Sequence, residues 1–360
     1  MKISAIDLFC GIGGLTKGIE NVGINVKLGI DSDESCKFAY EKNTNAKFLN
    51  KPIEEIDSNI ILENFDDYSV KLLMGCAPCQ PFSNYSLRYN KNGMKDEKWK
   101  LLNYFLGFIL EIKPDIISME NVPQLEKKEI FKKFVFELEK SGYYVYYKIV
   151  NCVDYGVPQN RRRLVLLASI YGKISLIPPT HKSAITVKDA IGDLEEIKSG
   201  EISSKDPLHR ASKLSNLNIK RIKQSKPGGT WEDWNESLLS PCHKKDSGKG
   251  YKSVYGRMKW EEPSPTITTQ FYGYGNGRFG HPVQNRALTL REGAILQSFP
   301  IDYDLCLGEG KYNMRKIGTH IGNAVPVKLA EAIGISIIKH VKEVLDKWFL
   351  LKKREWQKNK

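Results

Sequence analysis

The stretch Asp7-Leu8-Phe9-Cys10-Gly11-Ile12-Gly13-Gly14-Leu15, DLFCGIGGL, decides how the chain folds. The run over residues 3–9 reads as a strand. Glycines at 11, 13 and 14 then let the backbone turn sharply and approach a ligand closely, at the start of a helix over 15–22. A second apolar run, 26–30, ends at Asp31, about 20 positions after the turn, where a carboxylate can accept hydrogen bonds from ribose hydroxyls. The pattern is FxGxGG rather than GxGxxG, so two readings stand: a nucleoside-cofactor loop, or an ordinary tight turn.

Outward from this turn, residues 70–74, 116–119, 143–150 and 164–170 read as further strands, and 99–112 has helical apolar spacing. Strands alternating with helices predict an α/β domain with a mainly parallel sheet. Near Pro178 the texture changes. Residues 180–285 mix Ser, Gly, Pro, Lys and aromatics with little period, which predicts a second, loop-rich module with short strands. From Asn313 a Gly322-Asn323 turn leads into a helical pattern over 327–351, and the tail beyond is basic.

The chain has 360 residues, 41% hydrophobic and 27% charged, which suits two domains with ample cores. Its longest apolar runs, such as 164–170, fall well short of the roughly 20 residues that cross a bilayer. The start, MKISAIDLF, carries no signal-peptide core. Seven cysteines are an odd number and make no disulfide framework, so a reducing, cytoplasmic setting with no membrane is expected. Residues 1–179 hold 24 basic and 22 acidic side chains, whereas 180–360 hold 31 and 20. A basic second half points to a polyanionic partner, nucleic acid first.

Three further motifs carry chemistry. In GCAPCQPFS, residues 75–83, Cys76 and Cys79 fit a C-x-x-C redox pair or half a zinc site, but the sequence holds no second CxxC to complete it. Alternatively Cys79 acts alone, between Pro78 and Gln80-Pro81 on a stiff loop beyond a strand's carboxyl end, as a soft nucleophile; a buried structural cysteine is the third reading. In MENV, residues 119–122, Glu120 is either a crevice carboxylate able to give a proton or a helix-capping residue. In QNRRR, residues 159–163, Arg161 and Arg163 share one face by strand periodicity; they form a phosphate or carboxylate clamp, or a solvated charge run.

The ordered set FxGxGG, PCQ, ENV, QxRxR, a variable basic module, RALTLREGAILQSFP and IGNAVP resembles the DNA (cytosine-5)-methyltransferase family of bacterial restriction–modification type. The resemblance runs from Ile6 to about Ile338 and lacks clear motif support only over 180–260. It implies an S-adenosylmethionine-dependent, Rossmann-like sheet of seven strands with a second, smaller target-recognition domain. The catalytic domain would comprise 1–180 plus 313–360, and the target-recognition domain 181–312.

The resemblance also implies roles. Carbon 5 of cytosine is too weak a nucleophile for a sulfonium methyl group. In this family a cysteine thiolate adds to carbon 6 of a flipped-out base and activates carbon 5. Cys79 matches that nucleophile, Glu120 the acid at ring N3, Arg163 the arginine near O2, and Arg161 its partner. Cys76 has no role there, so the CxxC becomes coincidence. Phe9 matches the aromatic against adenine, Gly11, Gly13 and Gly14 the loop around the methionine moiety, and Asp31 the ribose carboxylate. Ile53, Pro78, Leu101 and Asn323 match other cofactor contacts. Two positions depart from the pattern: Ser32 follows the ribose acid, and Pro52 stands where an adenine-binding Asp is usual. Ser83, Arg88, Arg257 and Thr266 are the expected DNA contacts. The implied partner is double-stranded DNA, with the chain acting as a monomer, without a metal, beside a separately acting restriction endonuclease.

Other classes remain as alternatives. A tRNA cytosine-5 methyltransferase shares these motifs, but the module of about 100 residues argues against it and the Cys-Phe-Thr tripeptide is missing. A catalytically inactive DNA-binding regulator is disfavoured because every presumed catalytic residue is present. A nicotinamide oxidoreductase is disfavoured by the glycine spacing.

Overall fold

A computed structural model describes residues 2–78, 99–250 and 252–358. Cys79, Ser83 and Arg88 lie outside the described residues. The chain divides into two units: 1–150, 162–180 and 327–360 form the first, and 151–161 with 181–326 the second. Residues 313–326, assigned to the first domain on sequence, cluster with the second unit, as do 151–161.

The first unit is built on β1 (Ile3–Leu8), β2 (Asn25–Asp31), β3 (Lys47–Asn50), β4 (Val70–Gly75), β5 (Ile116–Asn121), β6 (Tyr144–Asn151) and β7 (Arg162–Ser169). These make one seven-stranded sheet in the order β3-β2-β1-β4-β5-β7-β6. β1 runs parallel to β2 and β4, β2 to β3, and β4 to β5, whereas β7 pairs antiparallel with β5. The central strands are near-continuous apolar runs because both faces are covered, as parallel sheets require. The helices are α1 (Gly14–Asn21), α2 (Lys37–Asn43), α3 (Ser58–Glu63), α4 (Trp99–Ile112) and α5 (Glu129–Lys140). On one face, Phe105 and Ile109 of α4 and Phe131, Phe134 and Leu138 of α5 bury against Leu73, Ile117 and Leu166 of the sheet.

Four elements among the described residues of the first unit went unread in the sequence. β3 is only four residues, KFLN, and α2, α3 and α5 are short or interrupted by charges, so tertiary packing rather than period makes them.

The second unit carries α6 (Val187–Ile191), α7 (Asn216–Gln224), α8 (Asp246–Lys249), α9 (Leu290–Leu296) and α10 (Met314–Asn323). Among its described residues, single 3₁₀ turns and isolated bridges such as Gln159 with Ser264 stand where short strands were expected. A small core gathers Ile222, Trp231, Trp234, Tyr274 and Ala287. Gly322-Asn323, read as a turn, instead ends α10; the break follows at Ala324–Pro326.

The last helix, α11 (Val327–Lys358), returns to the first unit. Residues 314–347 are long and apolar enough for a membrane span, a signal diluted in the sequence by interspersed Lys, His and Glu. However, 67% of the most apolar window is buried inside the protein, as in a core helix.

α11 packs on α1 at a glycine. A Cβ on Gly18 would strike the Ala330 side chain and the Val327 carbonyl, so the two helix backbones can approach only with no side chain there. Gly18→Val should destabilise the native state by about 1–3 kcal/mol through overpacking. The check is the denaturation midpoint in urea, with Gly18→Ala falling between it and the parent.

Candidate active site

At the carboxyl end of β1 the backbone leaves ordinary space. Phe9 sits at φ 60° and Gly11 and Gly13 at φ 52° and 84°, all left-handed. Glycine takes this shape freely; Phe9 does so at a cost of about 1–2 kcal/mol. Gly13 occupies the N-cap of α1 and offers no side-chain cap. A Cβ on Gly11 would meet nothing within 4 Å, so this part of the loop faces open space. The Gly11 amide donates to Asp31 Oδ2 at 2.8 Å, and the Asp33 amide to Oδ1 at 2.9 Å. The glycine turn and the acid at the end of β2 are therefore one construction. Phe9 and Leu101 are half-buried and pack on the apolar cluster that contains Ile53, which bears on the turn after Pro52. The half-buried Pro78 ends the described part of the loop after β4.

Beneath the loop lies Asp7, a buried carboxyl at the head of the motif. Its Oδ2 accepts from the Thr16 hydroxyl at 2.7 Å, and Thr16 lies 3.0 Å from the Tyr40 hydroxyl. Burial pushes the Asp7 carboxyl up to about 7, helped by the charge of Asp31 and opposed by the Thr16 hydrogen bond.

A second cluster forms at the ends of β4, β5 and β7. Glu120 is 2% exposed. Arg163 Nε lies 2.7 Å from Glu120 Oε1 as an ion pair, and Cys76 Sγ donates to Oε2 at 2.9 Å. The next residue, Asn121, donates from Nδ2 to the Ala77 carbonyl at 3.0 Å and accepts the Val122 amide on Oδ1 at 2.8 Å. It thereby tethers the loop that leads into Cys79. Sequence reading missed Asn121 and Cys76 as parts of this cluster. The available signal was a buried amide at a strand end, which must find partners.

Arg161 departs from expectation. β7 begins at Arg162, so Arg161 precedes the strand and does not share a face with Arg163. Its Nη1 donates to the Ile267 carbonyl at 3.0 Å and its Nη2 to the Gly322 and Ala324 carbonyls at 3.1 and 3.3 Å. Beside it, Gln159 bonds the Leu296 carbonyl and the Gln297 side chain, and accepts the Ile267 amide. This part of QNRRR is scaffold within the second unit. Asn323, in the same unit, is exposed at the end of α10.

Of the expected DNA contacts, Thr266 is exposed, with its hydroxyl on the Asn160 carbonyl at 2.6 Å. Arg257 requires a correction. It is 4% exposed, and its guanidinium donates to the carbonyls of Ile222, His281 and Gln284 and to the Asn285 side chain. It is held inside the module and presents no donor to a phosphate. The RALTLRE block is likewise internal: Arg286 pairs bidentately with Glu292 at 2.8 and 2.7 Å. Although burial opposes the charge, Arg286 holds the Glu292 carboxyl down to about 2.

Two measurements follow from this geometry. Arg257→Ala should leave several buried carbonyls unpaired and destabilise the fold by about 3 kcal/mol or more, seen as a lower thermal midpoint. The salt dependence of DNA binding should not change. Asp7 titrates at 3.8 by default and near 7 when folded, so the native state holds its proton more tightly. Its contribution is full below pH about 4 and is lost as the pH rises through 7, by at most about 1.4 kcal/mol per pH unit. Asp7→Asn should flatten that decline, as read by urea denaturation at pH 5 and pH 8.

A family model for the C-5 cytosine-specific DNA methylase matches residues 3–339. The chain is 50% identical to the Type II methylase M.HgiDII of Herpetosiphon aurantiacus, over 93% of this chain and 94% of that one. It is 31% identical to the Type II methyltransferase M1.HphI of Haemophilus parahaemolyticus, over 94% and 87%. The fold matches that of a DNA modification methyltransferase encoded within an E. coli prophage, with TM-score 0.71, 20% identity, and 95% and 100% of the two chains covered. The chain therefore belongs to the C-5 cytosine-specific DNA methylase family and is a DNA (cytosine-5)-methyltransferase.

Proposed function

We propose that this enzyme transfers a methyl group from S-adenosylmethionine to carbon 5 of one cytosine within a short, specific duplex sequence, as the protective methylase of a restriction–modification system. The observation that carries this reading is the buried Glu120–Arg163 pair beside the loop that Asn121 tethers and that runs into Cys79.

In this reading the Cys79 thiolate bonds to carbon 6 of a base turned out of the duplex, which makes carbon 5 nucleophilic. Glu120 holds ring N3 and stabilises the charge that builds there, while Arg163 fixes the carboxylate and reaches toward O2. Arg161 acts through the scaffold, holding the QNRRR turn from which Arg163 extends. Loss of the carbon 5 proton then allows the sulfur–carbon 6 bond to break and frees Cys79.

The cofactor, when bound, supplies an electrophilic sulfonium methyl. The residues present suit it. The turn is open at Gly11 while Gly13 and Gly14 shape it behind, and Asp31 is held for a ribose. Phe9, Ile53 and Leu101 offer apolar surface to an adenine, with Pro78 as a further contact. Pro52 donates no hydrogen bond and accepts none through its side chain, so adenine recognition falls to the neighbouring apolar surface and backbone.

Residues 181–312 are assigned to target recognition, with 1–180 and 313–360 catalytic. Ser83, Arg88 and Thr266 are assigned to the DNA backbone, contacts that position without reading sequence. The enzyme is assigned to the cytoplasm as a monomer, with any cognate endonuclease acting separately.

Cys79→Ser should abolish turnover and leave duplex binding intact. Bisulfite sequencing of DNA from cells expressing the chain locates the modified cytosine. A duplex carrying 5-fluorocytosine at that position should then yield a stable adduct at Cys79 by mass spectrometry. Methyl consumption without an adduct, or labelling of tRNA in preference to DNA, would overturn the reading.

A further inference from the structure

Cys76 has no role in the function assigned above, yet its thiol lies on the buried Glu120 carboxylate. Both oxygens of Glu120 are engaged: Oε1 by Arg163 Nε at 2.7 Å, Oε2 by Cys76 Sγ at 2.9 Å. The two engagements differ in strength. The Arg163 contact is an ion pair at Oε1, an atom that no hydrogen bond satisfies, whereas the thiol makes a directed but weak hydrogen bond to Oε2. Cys76 is itself placed by the sheet: its amide donates to the Leu8 carbonyl at 3.3 Å, so its backbone is pinned to the end of β1. The thiol therefore has a fixed origin, and its hydrogen bond to Oε2 is a weak one that can be released at little cost.

We propose that Cys76 is a positioning residue for Glu120. Its thiol holds Oε2 in the base-free enzyme and gives way when a cytosine presents its N3 edge, while Arg163 keeps Oε1. The inference rests on the reading that Glu120 meets the target base. Without the thiol, a carboxylate fixed at one oxygen is free to swing about the Arg163 contact, and misplacement of a reacting group is expensive in rate. A stronger neutral donor at the same place restores the restraint. In this reading Cys76 acts through Glu120 and not on substrate binding, so the effect falls on kcat.

The test uses the full chain, amplified unmethylated genomic DNA and labelled S-adenosylmethionine. Cys76→Ala should lower kcat about tenfold with KM for DNA little changed. Cys76→Ser, with a hydroxyl donor, should return kcat close to the parent, and thermal midpoints should agree across the three. Glu120→Gln is the reference and should be nearly inactive. Full activity in Cys76→Ala beside an inactive Glu120→Gln overturns the role of Cys76 and leaves that of Glu120 standing. A change confined to KM, or equal losses in the Ala and Ser variants with lowered midpoints, also overturns it. An active Glu120→Gln removes the underlying reading of Glu120 itself.

Discussion

A carboxylate buried to 2% exposure at the end of a central strand is the constraint around which the first unit is arranged. Such a charge is tolerable only with close partners; removing one typically costs about 3–5 kcal/mol, because the remaining charge cannot reach water. Glu120 has Arg163 from the neighbouring antiparallel strand and Cys76 from the end of β4. Three chain segments distant in sequence are thus held in one geometry. The antiparallel insertion of β7 beside β5 is what delivers the arginine, since β5 pairs Glu120 with Val165, two residues beyond Arg163.

The glycine-rich corner follows a different rule. There the backbone carries the strain and the side chains the satisfaction. Left-handed residues at 9, 11 and 13 expose the Gly11 amide, and Asp31 accepts it. An acid already holding the loop keeps a fixed orientation, the economy that preorganised sites share. Asp7, below, braces the same turn through Thr16 and Tyr40.

The basic excess of the second half has two destinations. Loops expose carbonyls that no helix or sheet satisfies, and a buried arginine supplies five donors in a fixed fork. Arg221 bonds the Leu238 carbonyl and lies 5.0 Å from the centre of the Trp234 ring; Arg257 and Arg161 each serve several carbonyls; Arg291 holds Asp206 and the Tyr303 carbonyl. Part of the positive charge is therefore framework, and counting it all toward a polyanion overstates the nucleic-acid surface. A loop-rich module with only isolated bridges among its described residues draws on these clamps where a strand ladder would otherwise satisfy the backbone.

The linear order of residues by itself determined the layered α/β class, the strand–glycine–helix turn with its acid, and the family, because these depend on local conformational preference and on spacing along the chain. It left Glu120 open between a crevice carboxylate and a helix cap, and only the family resemblance chose between them. Tertiary structure alone decided which arginine reaches that acid: strand periodicity paired Arg161 with Arg163, but β7 starts between them and Arg161 turns to carbonyls more than a hundred residues away. It alone drew Arg257 inward and put Asn121 and Cys76 to work. Hydrogen-bond satisfaction of buried groups is a non-local demand, settled only when distant segments meet.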